Sequence, residues 1–305
     1  MEDVLVTGSS GFIGSELCGV LLKNEYNVYG VDSKQPQFDS LNDVNVIQED
    51  LLSKPKLPNV DVIVHLAAHS QVQQVVQEPG KVIENVEMTQ HVLEEAQRLG
   101  AGVVNISSRD VYGSDICPSE EEVTTESPNE YAASKFAGEA LVNAYTQRCD
   151  LNAISLRLSN VYGPKDANKR VIPVFIAAAE SGEELTVFGQ GKLLDFIYIS
   201  DVCRSIRSSI ENLSAISGES INIGSGIGTP LTEVASKIAN MVHTCPGYRT
   251  TTNRTGDVDR YVADISKAES LLDFEPQVRV EAGRHKPVRW YQREVDDFED
   301  MFHSM

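Results

Sequence analysis

The chain is poor in basic residues and has no long apolar run. Its 305 residues include 26 Lys and Arg against 45 Asp and Glu, which gives a formal net charge of −19. A protein this acidic repels the phosphate backbone of nucleic acids, and no basic run is longer than Lys169-Arg170, so neither DNA nor RNA is an expected partner. Apolar stretches such as Val60 to Ala68 are far shorter than the roughly 20 residues that span a bilayer, so no membrane span is expected.

Cysteines are few and far apart. The five of them show no close spacing, which favours free thiols over a disulfide framework or a zinc site. His65 and His69 lie across the end of a predicted strand rather than on one helix face, so no metal site is predicted. The N-terminus, Met1-Glu2-Asp3, lacks the basic and apolar regions of a signal peptide, so a cytoplasmic location is expected.

Short β-branched runs alternate with helical patterns in the first half of the chain, which is typical of parallel βαβ units. Apolar residues recur at helical spacing in Phe12–Lys23, Lys81–Leu99 and Glu130–Cys149. The predicted strands of this half are Val4–Thr7, Asn27–Val31, Val44–Gln48, Val60–His65, Gly102–Ser107 and Asn152–Leu158. These elements predict an α/β fold with a Rossmann-type doubly wound parallel sheet.

After about Gly163 the pattern changes to helices separated by glycine-rich turns. Isolated strand-like pieces occur at Leu185–Phe188, Phe196–Ile199 and Ser220–Ile223. We therefore predict a Rossmann domain over residues 1–163 and a smaller α/β substrate-binding lobe over residues 164–305. The chain is expected to return to the first domain around residues 195–225.

Three glycines, Gly8, Gly11 and Gly14, lie where the first predicted strand passes into the first predicted helix. Glycines at this point allow a tight turn and a close approach of the backbone to a pyrophosphate, and the helix N-terminus offers free N–H groups to that anion. Asp32 ends the next strand, where an acid binds both ribose hydroxyls and repels the 2′-phosphate of NADP. The pattern therefore predicts a dinucleotide site that prefers NAD.

Two further features bear on this site. Lys34, just beyond the second strand, weakens the preference for NAD, because a basic residue there is how NADP-binding proteins compensate the extra phosphate. Asp50 follows the third predicted strand and is placed to hydrogen-bond the adenine amino group while Leu51 packs on the adenine ring.

Tyr131 and Lys135 are four residues apart in a predicted helix, so their side chains share one face. A phenol with an ordinary pKa of about 10 is a poor base at neutral pH. A Lys ammonium about 5 Å away, at an effective dielectric constant of about 20, favours the phenolate by about 3 kcal/mol. We therefore expect Lys135 to lower the pKa of Tyr131, so that the phenol exchanges a proton with a sugar or alcohol hydroxyl near neutral pH.

The strand Gly102–Ser107 runs into a second serine, and the carboxyl ends of strands in a doubly wound sheet are where ligands bind. A hydroxyl there can hold the reacting oxygen beside the tyrosine. We assign that role to Ser108 and expect Ser107 to hydrogen-bond the backbone.

An ordered series of motifs runs through nearly the whole chain. They are Thr7-Gly8-x-x-Gly11-x-x-Gly14, Asp32, Asp50-Leu51, His65-Leu66-Ala67-Ala68, Asn85-Val86, Ser107-Ser108-x-x-Val111-Tyr112-Gly113, Tyr131-x-x-x-Lys135, Arg157-x-x-Asn160, Asp195-Phe196, Asn222-Ile223-Gly224, Gly256-Asp257 and Ala263-Asp264-x-Ser266-Lys267. With these motifs the chain resembles the extended short-chain dehydrogenase/reductases, specifically the NAD-dependent epimerase/dehydratase group that acts on nucleotide sugars. The resemblance implies a tightly held NAD and a homodimer that uses Lys81–Leu99 and Glu130–Cys149.

The resemblance also implies a role for each matching residue. Ser108, Tyr131 and Lys135 would be the catalytic residues, and the last two would contact the cofactor as well. The other residues assigned to the cofactor are Gly8, Gly11, Phe12, Ile13, Gly14, Asp32, Asp50, Leu51, Leu66, Ala67, Ala68 and Asn85. The residues assigned to the nucleotide-sugar substrate are Ser108, Tyr131, Asn160, Arg170 and Arg254.

In this family hydride leaves C4 of the sugar while the tyrosine takes the O4 proton, and the subfamilies differ in the fate of the 4-keto intermediate. We expect a 4-epimerase that interconverts UDP-glucose and UDP-galactose or their uronate or N-acetyl relatives. The 4,6-dehydratases of this family have a Thr-Asp-Glu sequence at the position where this chain has Ser108-Arg109-Asp110. Arg109 therefore occupies the position at which dehydration needs an acid. Asp110 is a partial match to the Glu of the UDP-hexuronate decarboxylases. The remaining alternatives are a reductase or dehydrogenase that releases NAD(P) and a cofactor-binding protein without catalysis.

One departure from the family concerns the substrate phosphates. The family usually has Arg-Asp-Phe, with the arginine on a substrate phosphate, where this chain has Leu194-Asp195-Phe196. A leucine cannot neutralise a diphosphate. Either Arg254 with Lys169 or Arg170 carries that charge, or the substrate is bound differently.

Overall fold

The structure of the chain, a computed structural model, describes residues 1–36, 38–113, 118–123, 127–166, 170–253 and 258–278. Its helices are α1 Phe12–Lys23, α2 Val72–Gln77, α3 Gly80–Leu99, α4 Glu130–Cys149, α5 Val171–Glu180, α6 Ile199–Glu211, α7 Leu231–Met241 and α8 Ser266–Leu272. Its strands are β1 Asp3–Thr7, β2 Asn27–Asp32, β3 Asn45–Gln48, β4 Val62–His65, β5 Gly102–Ser108, β6 Ala153–Leu158, β7 Asn160–Tyr162, β8 Leu185–Phe188, β9 Leu193–Tyr198, β10 Ser220–Ile223, β11 Gly228–Pro230, β12 Tyr248–Thr251 and β13 Arg260–Tyr261.

A seven-stranded sheet has the strand order β10-β6-β5-β4-β1-β2-β3, and every pair of neighbours is parallel. The chain runs outward from β1 to β3 and then crosses back to β4 on the other side of β1. This reversal leaves a crevice at the carboxyl ends of β1 and β4, which is where doubly wound sheets bind ligands. The predicted Rossmann-type fold is therefore confirmed.

Helices cover both faces of this sheet, which is why its strands are short runs of buried apolar residues. Val4 and Val6 of β1 belong to the same core cluster as Leu17 of α1. Leu5 lies between them in the chain and belongs to the cluster that contains Val92 of α3. The period of two residues along a strand thus divides one apolar run between the two faces.

The second half of the chain also forms smaller sheets, in which β9 pairs with β7, β11 and β13, and β8 pairs with β12. β9 begins earlier than the predicted Phe196, because Leu193 pairs with Pro230 and Arg260. Ile199 starts α6 instead of ending the strand. The chain then re-enters the large sheet through β10, which pairs with β6.

None of the described helices combines the length and the apolar character that crossing a membrane requires. The part of the predicted substrate lobe that follows residue 278 lies outside the described residues.

Candidate active site

The turn between β1 and α1 has room for backbone only. Gly8 has a φ of +70°, and a Cβ on it would lie 2.8 Å from the Ala67 amide nitrogen. A Cβ on Gly14 would lie 2.1 Å from the Gly8 carbonyl oxygen, so any side chain there would push α1 away from the turn. The start of α1 after Gly11 therefore faces a concave backbone surface, which fits the pyrophosphate of a dinucleotide.

Two carboxylates at the ends of β2 and β3 are fixed by backbone N–H groups. Asp32 Oδ2 accepts a hydrogen bond from Ser10 N at 2.9 Å, and Asp32 Oδ1 accepts one from Lys34 N at 2.9 Å. Asp50 Oδ1 accepts a hydrogen bond from Leu52 N at 2.9 Å. Each carboxylate oxygen has further lone pairs, so both side chains can also accept hydrogen bonds from ligand hydroxyl or amino groups.

Asn85 of α3 supports the loop that follows β4. Its Oδ1 accepts a hydrogen bond from His69 N at 2.8 Å, and its Nδ2 donates to His69 O at 3.2 Å and to Ser134 Oγ at 3.1 Å. Thr7 Oγ1 holds the start of the same loop by accepting from Ala67 N at 3.2 Å. The structure thus shows Asn85 as a support for the loop, and its contact with the cofactor stays a prediction.

A cavity of about 850 Å³ runs from the glycine turn across the carboxyl ends of the large sheet to the second half of the chain. Its lining includes the predicted cofactor residues Gly8, Gly11, Phe12, Ile13, Gly14, Asp32, Asp50, Leu51, Leu66, Ala67, Ala68, Tyr131 and Lys135. It also includes the predicted substrate residues Ser108, Asn160 and Arg170. Asn85 is not part of the lining, and Arg254 lies outside the described residues.

The three predicted catalytic residues come together where β5 meets α4. Ser108 ends β5, and Tyr131 lies in the first turn of α4, whose N-terminus is capped by the Asn129 side chain. The Ser108 side chain lies close enough to the Tyr131 hydroxyl to lower the pKa of that phenol. On the same helix face, Lys135 Nζ donates to the Ile106 carbonyl oxygen at 2.8 Å. A phenol, an alcohol and an ammonium therefore lie side by side at the cavity wall.

The expected lowering of the Tyr131 pKa by Lys135 is wrong. The pKa of Tyr131 is raised to about 12, first by burial and then by the Asp110 carboxylate, while two nearby arginines and the Ser108 hydroxyl oppose the rise. Burial also lowers the pKa of Lys135 to about 8. Both shifts have the same cause, because a charged group loses its hydration inside the protein. A further positive charge beside Tyr131 is needed before its phenolate forms readily at neutral pH.

Two donors on either side of Ser108 have no hydrogen-bond partner within the described part of the chain. One is the Ser107 hydroxyl, so the expectation that it bonds the backbone is wrong; the residue is only 3% exposed and lines the cavity. The other is Arg109 Nη1. The Arg109 guanidinium lies over the Tyr261 ring, 5.5 Å from its centroid, and Nη2 is 3.6 Å from Asp110 Oδ1.

Residues of the second half of the chain line the far end of the cavity. Asn160 Nδ2 donates a hydrogen bond to Asp195 O at 2.8 Å. Arg170 precedes α5, and its guanidinium carbon lies 6.0 Å from the centroid of the Phe12 ring. Leu194 also lines this end, so the position without the usual arginine does face the cavity.

Lys192 is a cavity residue that the sequence reasoning missed. It lines the cavity although it is only 7% exposed, and it directly precedes β9. Alternate residues of an extended chain share a face, so Lys192 and Leu194 are directed alike. This two-residue spacing is the sequence signal that identifies it. A lysine thus brings a positive charge to the wall where Leu194 brings none.

The profile of the NAD dependent epimerase/dehydratase family matches residues 4–224. The chain belongs to this family. A putative UDP-glucose 4-epimerase of Methanocaldococcus jannaschii is 30% identical over 94% of this chain and 97% of its own length. A dTDP-glucose 4,6-dehydratase of Streptomyces niveus is 29% identical over 95% of this chain and 92% of its own length. A UDP-N-acetyl-alpha-D-glucosaminuronate decarboxylase of Bacillus cytotoxicus is 29% identical over 96% of this chain and 98% of its own length.

Solved structures of family members match over nearly the whole chain. The UDP-glucose 4-epimerase of Thermotoga maritima, with UDP-glucose, has a TM-score of 0.89 at 26% identity and covers 96% of this chain and 99% of that one. The UDP-glucuronic acid 4-epimerase of Bacillus cereus, with UDP-glucuronic acid and NAD, has a TM-score of 0.87 at 29% identity. The match covers 95% of this chain and 99% of that one. Family membership confirms NAD as the predicted cofactor and limits the reaction to those of the family's epimerases, dehydratases and decarboxylases.

Proposed function

We propose that this family member is a nucleotide-sugar 4-epimerase, acting on UDP-glucose and UDP-galactose or on their uronate or N-acetyl analogues. The observation that supports it most is the hydroxyl pair of Ser108 and Tyr131 with Lys135 on the same helix face. This group lies between the glycine turn and the cavity wall that contains Asn160 and Arg170.

Each residue of the group has a distinct task in this proposal. Tyr131 takes the proton of the sugar O4 hydroxyl and later returns it, while Ser108 holds that oxygen by a hydrogen bond. NAD, when bound at the glycine turn and Asp32, supplies the acceptor for the hydrogen on C4. Lys135 Nζ uses one N–H group on the Ile106 carbonyl oxygen and keeps two for the cofactor ribose.

The residues that follow Ser108 disfavour dehydration. Expulsion of water from C5 and C6 needs an acid near C6, and the Arg109 guanidinium does not release a proton at neutral pH. Epimerisation requires only the three catalytic residues and room for the 4-keto sugar to turn. Decarboxylation of a hexuronate is the second candidate, because Asp110 is buried beside Ser108, with Oδ2 3.3 Å from the serine hydroxyl.

A panel of UDP-, GDP- and dTDP-sugars tests the proposal. Purified protein is incubated with each sugar without added NAD, and the products are followed by NMR. We expect NAD to remain bound through purification, at least one sugar to invert at C4, and Tyr131→Phe to abolish the inversion. A reductase that releases its cofactor would be inert in this assay. The absence of C4 inversion for every sugar would contradict the proposal.

We also propose a homodimer that uses α3 and α4, as the family resemblance implies. The two helices share one core cluster, and Ile83 of α3 is 59% exposed. Sedimentation as a monomer at micromolar concentration would contradict this assembly. The cytoplasmic location stays a prediction from the sequence.

A further inference from the structure

Arg109 is the charged side chain nearest in the chain to the proposed catalytic serine. Its side chain is 14% exposed, it lines the cavity, and its guanidinium carbon lies 5.5 Å from the centroid of the Tyr261 ring. Nη2 is directed to Asp110, at 3.6 Å, whereas Nη1 is buried without a hydrogen-bond partner in the described part of the chain. Nη1 therefore has a hydrogen-bonding capacity that no described group uses.

A buried N–H group without a partner costs free energy, and the cost is larger for a charged group. The planar fork of an arginine matches a carboxylate, which accepts two hydrogen bonds from it. Ser107 adds a second buried donor without a partner on the other side of Ser108. This end of β5 thus has two buried donors that no described group satisfies.

The position of such a carboxylate on the sugar follows from the proposed function, on which this inference rests. If Ser108 and Tyr131 hold O4, then a neighbouring side chain meets a substituent of C3 or C5. C3 carries a neutral hydroxyl, whereas C5 carries C6, which is a carboxylate in hexuronic acids. We propose that Arg109 binds the C6 carboxylate, and that the substrate is a nucleotide hexuronate rather than a neutral hexose.

The charges along the cavity agree with this substrate class. A hexuronate carries one more negative charge than a neutral hexose, in addition to its diphosphate. Arg170 and Lys192 line the same cavity as Arg109, although the chain as a whole has a formal net charge of −19. The negative charge of Asp110 disfavours binding of the C6 carboxylate, but Asp110 already lies beside Arg109 Nη2 and the Ser108 hydroxyl. Asp166 is a second acid in this lining, so away from the glycine turn Arg109, Arg170 and Lys192 exceed the two acids by one formal charge.

A hexuronate also offers a second reaction that the experiment must separate. Oxidation at C4 makes the intermediate a β-keto acid. Its C5–C6 bond can break to release CO2, with the electron pair passing into the C4 carbonyl and a proton then adding at C5. Charge-assisted hydrogen bonds from Arg109 stabilise the carboxylate relative to neutral CO2, so they favour return to the 4-epimer.

Binding measurements test the assignment without depending on turnover. In NAD-saturated Tyr131→Phe protein, titration calorimetry compares UDP-glucuronate with UDP-glucose. We expect UDP-glucuronate to bind about 10- to 100-fold more tightly, and a further Arg109→Gln change to remove that preference while UDP-glucose binding stays within about threefold. Arg148→Gln, which removes an arginine stacked on Tyr145 outside the cavity, is the matched control and should keep the preference.

Arg109→Lys keeps the charge but not the fork, and it should lower the preference only in part. It also serves if Arg109→Gln does not fold. Equal binding of both sugars, or equal weakening of both by the Arg109 variants, would overturn the assignment. The products of the wild-type enzyme separate the hexuronate assignment from the proposed epimerase function. Formation of a UDP-pentose and CO2 would contradict the epimerase but support the hexuronate substrate. Inversion of neutral sugars without a preference for hexuronates would support the epimerase but contradict the hexuronate substrate.

Discussion

The end of the cavity that we assign to the cofactor is shaped by backbone, whereas the end that we assign to the substrate carries basic side chains from separate segments of the chain. At the cofactor end, Gly8 and Gly14 leave no room for a Cβ, and backbone N–H groups fix Asp32. At the substrate end, Arg109, Arg170 and Lys192 come from three separate segments of the chain. Substitutions in the glycine turn should therefore cause steric clashes and large losses of binding. Substitutions of the basic residues at the other end should remove charge and cause smaller losses.

Tyr131 joins the two ends, and its loss should have the largest effect. In the proposed reaction Tyr131 moves the O4 proton, so we expect Tyr131→Phe to lower kcat by about 10³-fold, with NAD content and folding unchanged. Steady-state kinetics and the absorbance of extracted cofactor measure both. A variant that retains most of its activity would remove the tyrosine from the chemistry.

Gly14→Ala tests the steric character of the cofactor end. Its Cβ would meet the Gly8 carbonyl oxygen at 2.1 Å, so we expect NAD affinity to fall by at least about 100-fold and the free energy of unfolding to fall by about 2 kcal/mol. Gly80→Ala in α3 is the control, because its Cβ would meet nothing within 4 Å. Equal NAD affinity of the two variants would show that the turn does not hold the cofactor.

Ionisation of Lys135, on the same helix face as Tyr131, makes the free energy of unfolding depend on pH. The pKa of Lys135 is lowered to about 8, whereas an unfolded lysine has a pKa of about 10.4, so between these values the unfolded chain binds the extra proton. This group therefore makes the free energy of unfolding rise with pH above about 8, and adds nothing to the slope well below it. From pH 7.5 to 9.5 the rise should be about 2 kcal/mol larger in wild type than in Lys135→Met, measured by urea unfolding without NAD.

Lys23→Met, which replaces an exposed lysine at the end of α1, is the control for this measurement and should follow wild type. If Lys135→Met shows the same pH slope as wild type, Lys135 is not buried as the structure has it.

Lys192→Gln tests the graded character of the substrate end. Loss of one positive charge beside Leu194 should raise KM by about tenfold and leave kcat within about twofold, because the charge binds the ground state and the transition state alike. The effect should shrink as salt concentration rises. A fall in kcat with KM unchanged would place Lys192 in the chemistry instead of in substrate binding.

The two ends also differ in how far the sequence predicts them. The glycine turn, Asp32 and Asp50 follow strands whose period and spacing are local, so their positions could be predicted before the fold was known. The same holds for Tyr131 and Lys135, which share a helix face. Local sequence patterns do not predict how deeply a side chain is buried, however. The sequence therefore did not predict the raised pKa of Tyr131.

At the substrate end the contacts join distant segments. Lys192 reaches the cavity because β9 starts at Leu193 to pair with β11 and β13, and that pairing depends on residues far along the chain. The orphaned donors of Ser107 and Arg109 likewise become visible only once β5, α4 and β13 surround them. The two-residue spacing from Leu194 indicates how Lys192 is directed, but no periodicity in the sequence indicates these strand pairings or the unpartnered donors.

The most direct test of the central claim is the fate of the C4 hydrogen in D2O. The enzyme, with its own bound NAD, is incubated with UDP-glucuronate or UDP-glucose in D2O, and the 4-epimer is examined by NMR and mass spectrometry. We predict an inverted product that retains hydrogen at both C4 and C5, because the C4 hydrogen leaves and returns without meeting solvent while Tyr131 exchanges only the O4 proton. Deuterium at C4 or C5 of the product would contradict this account.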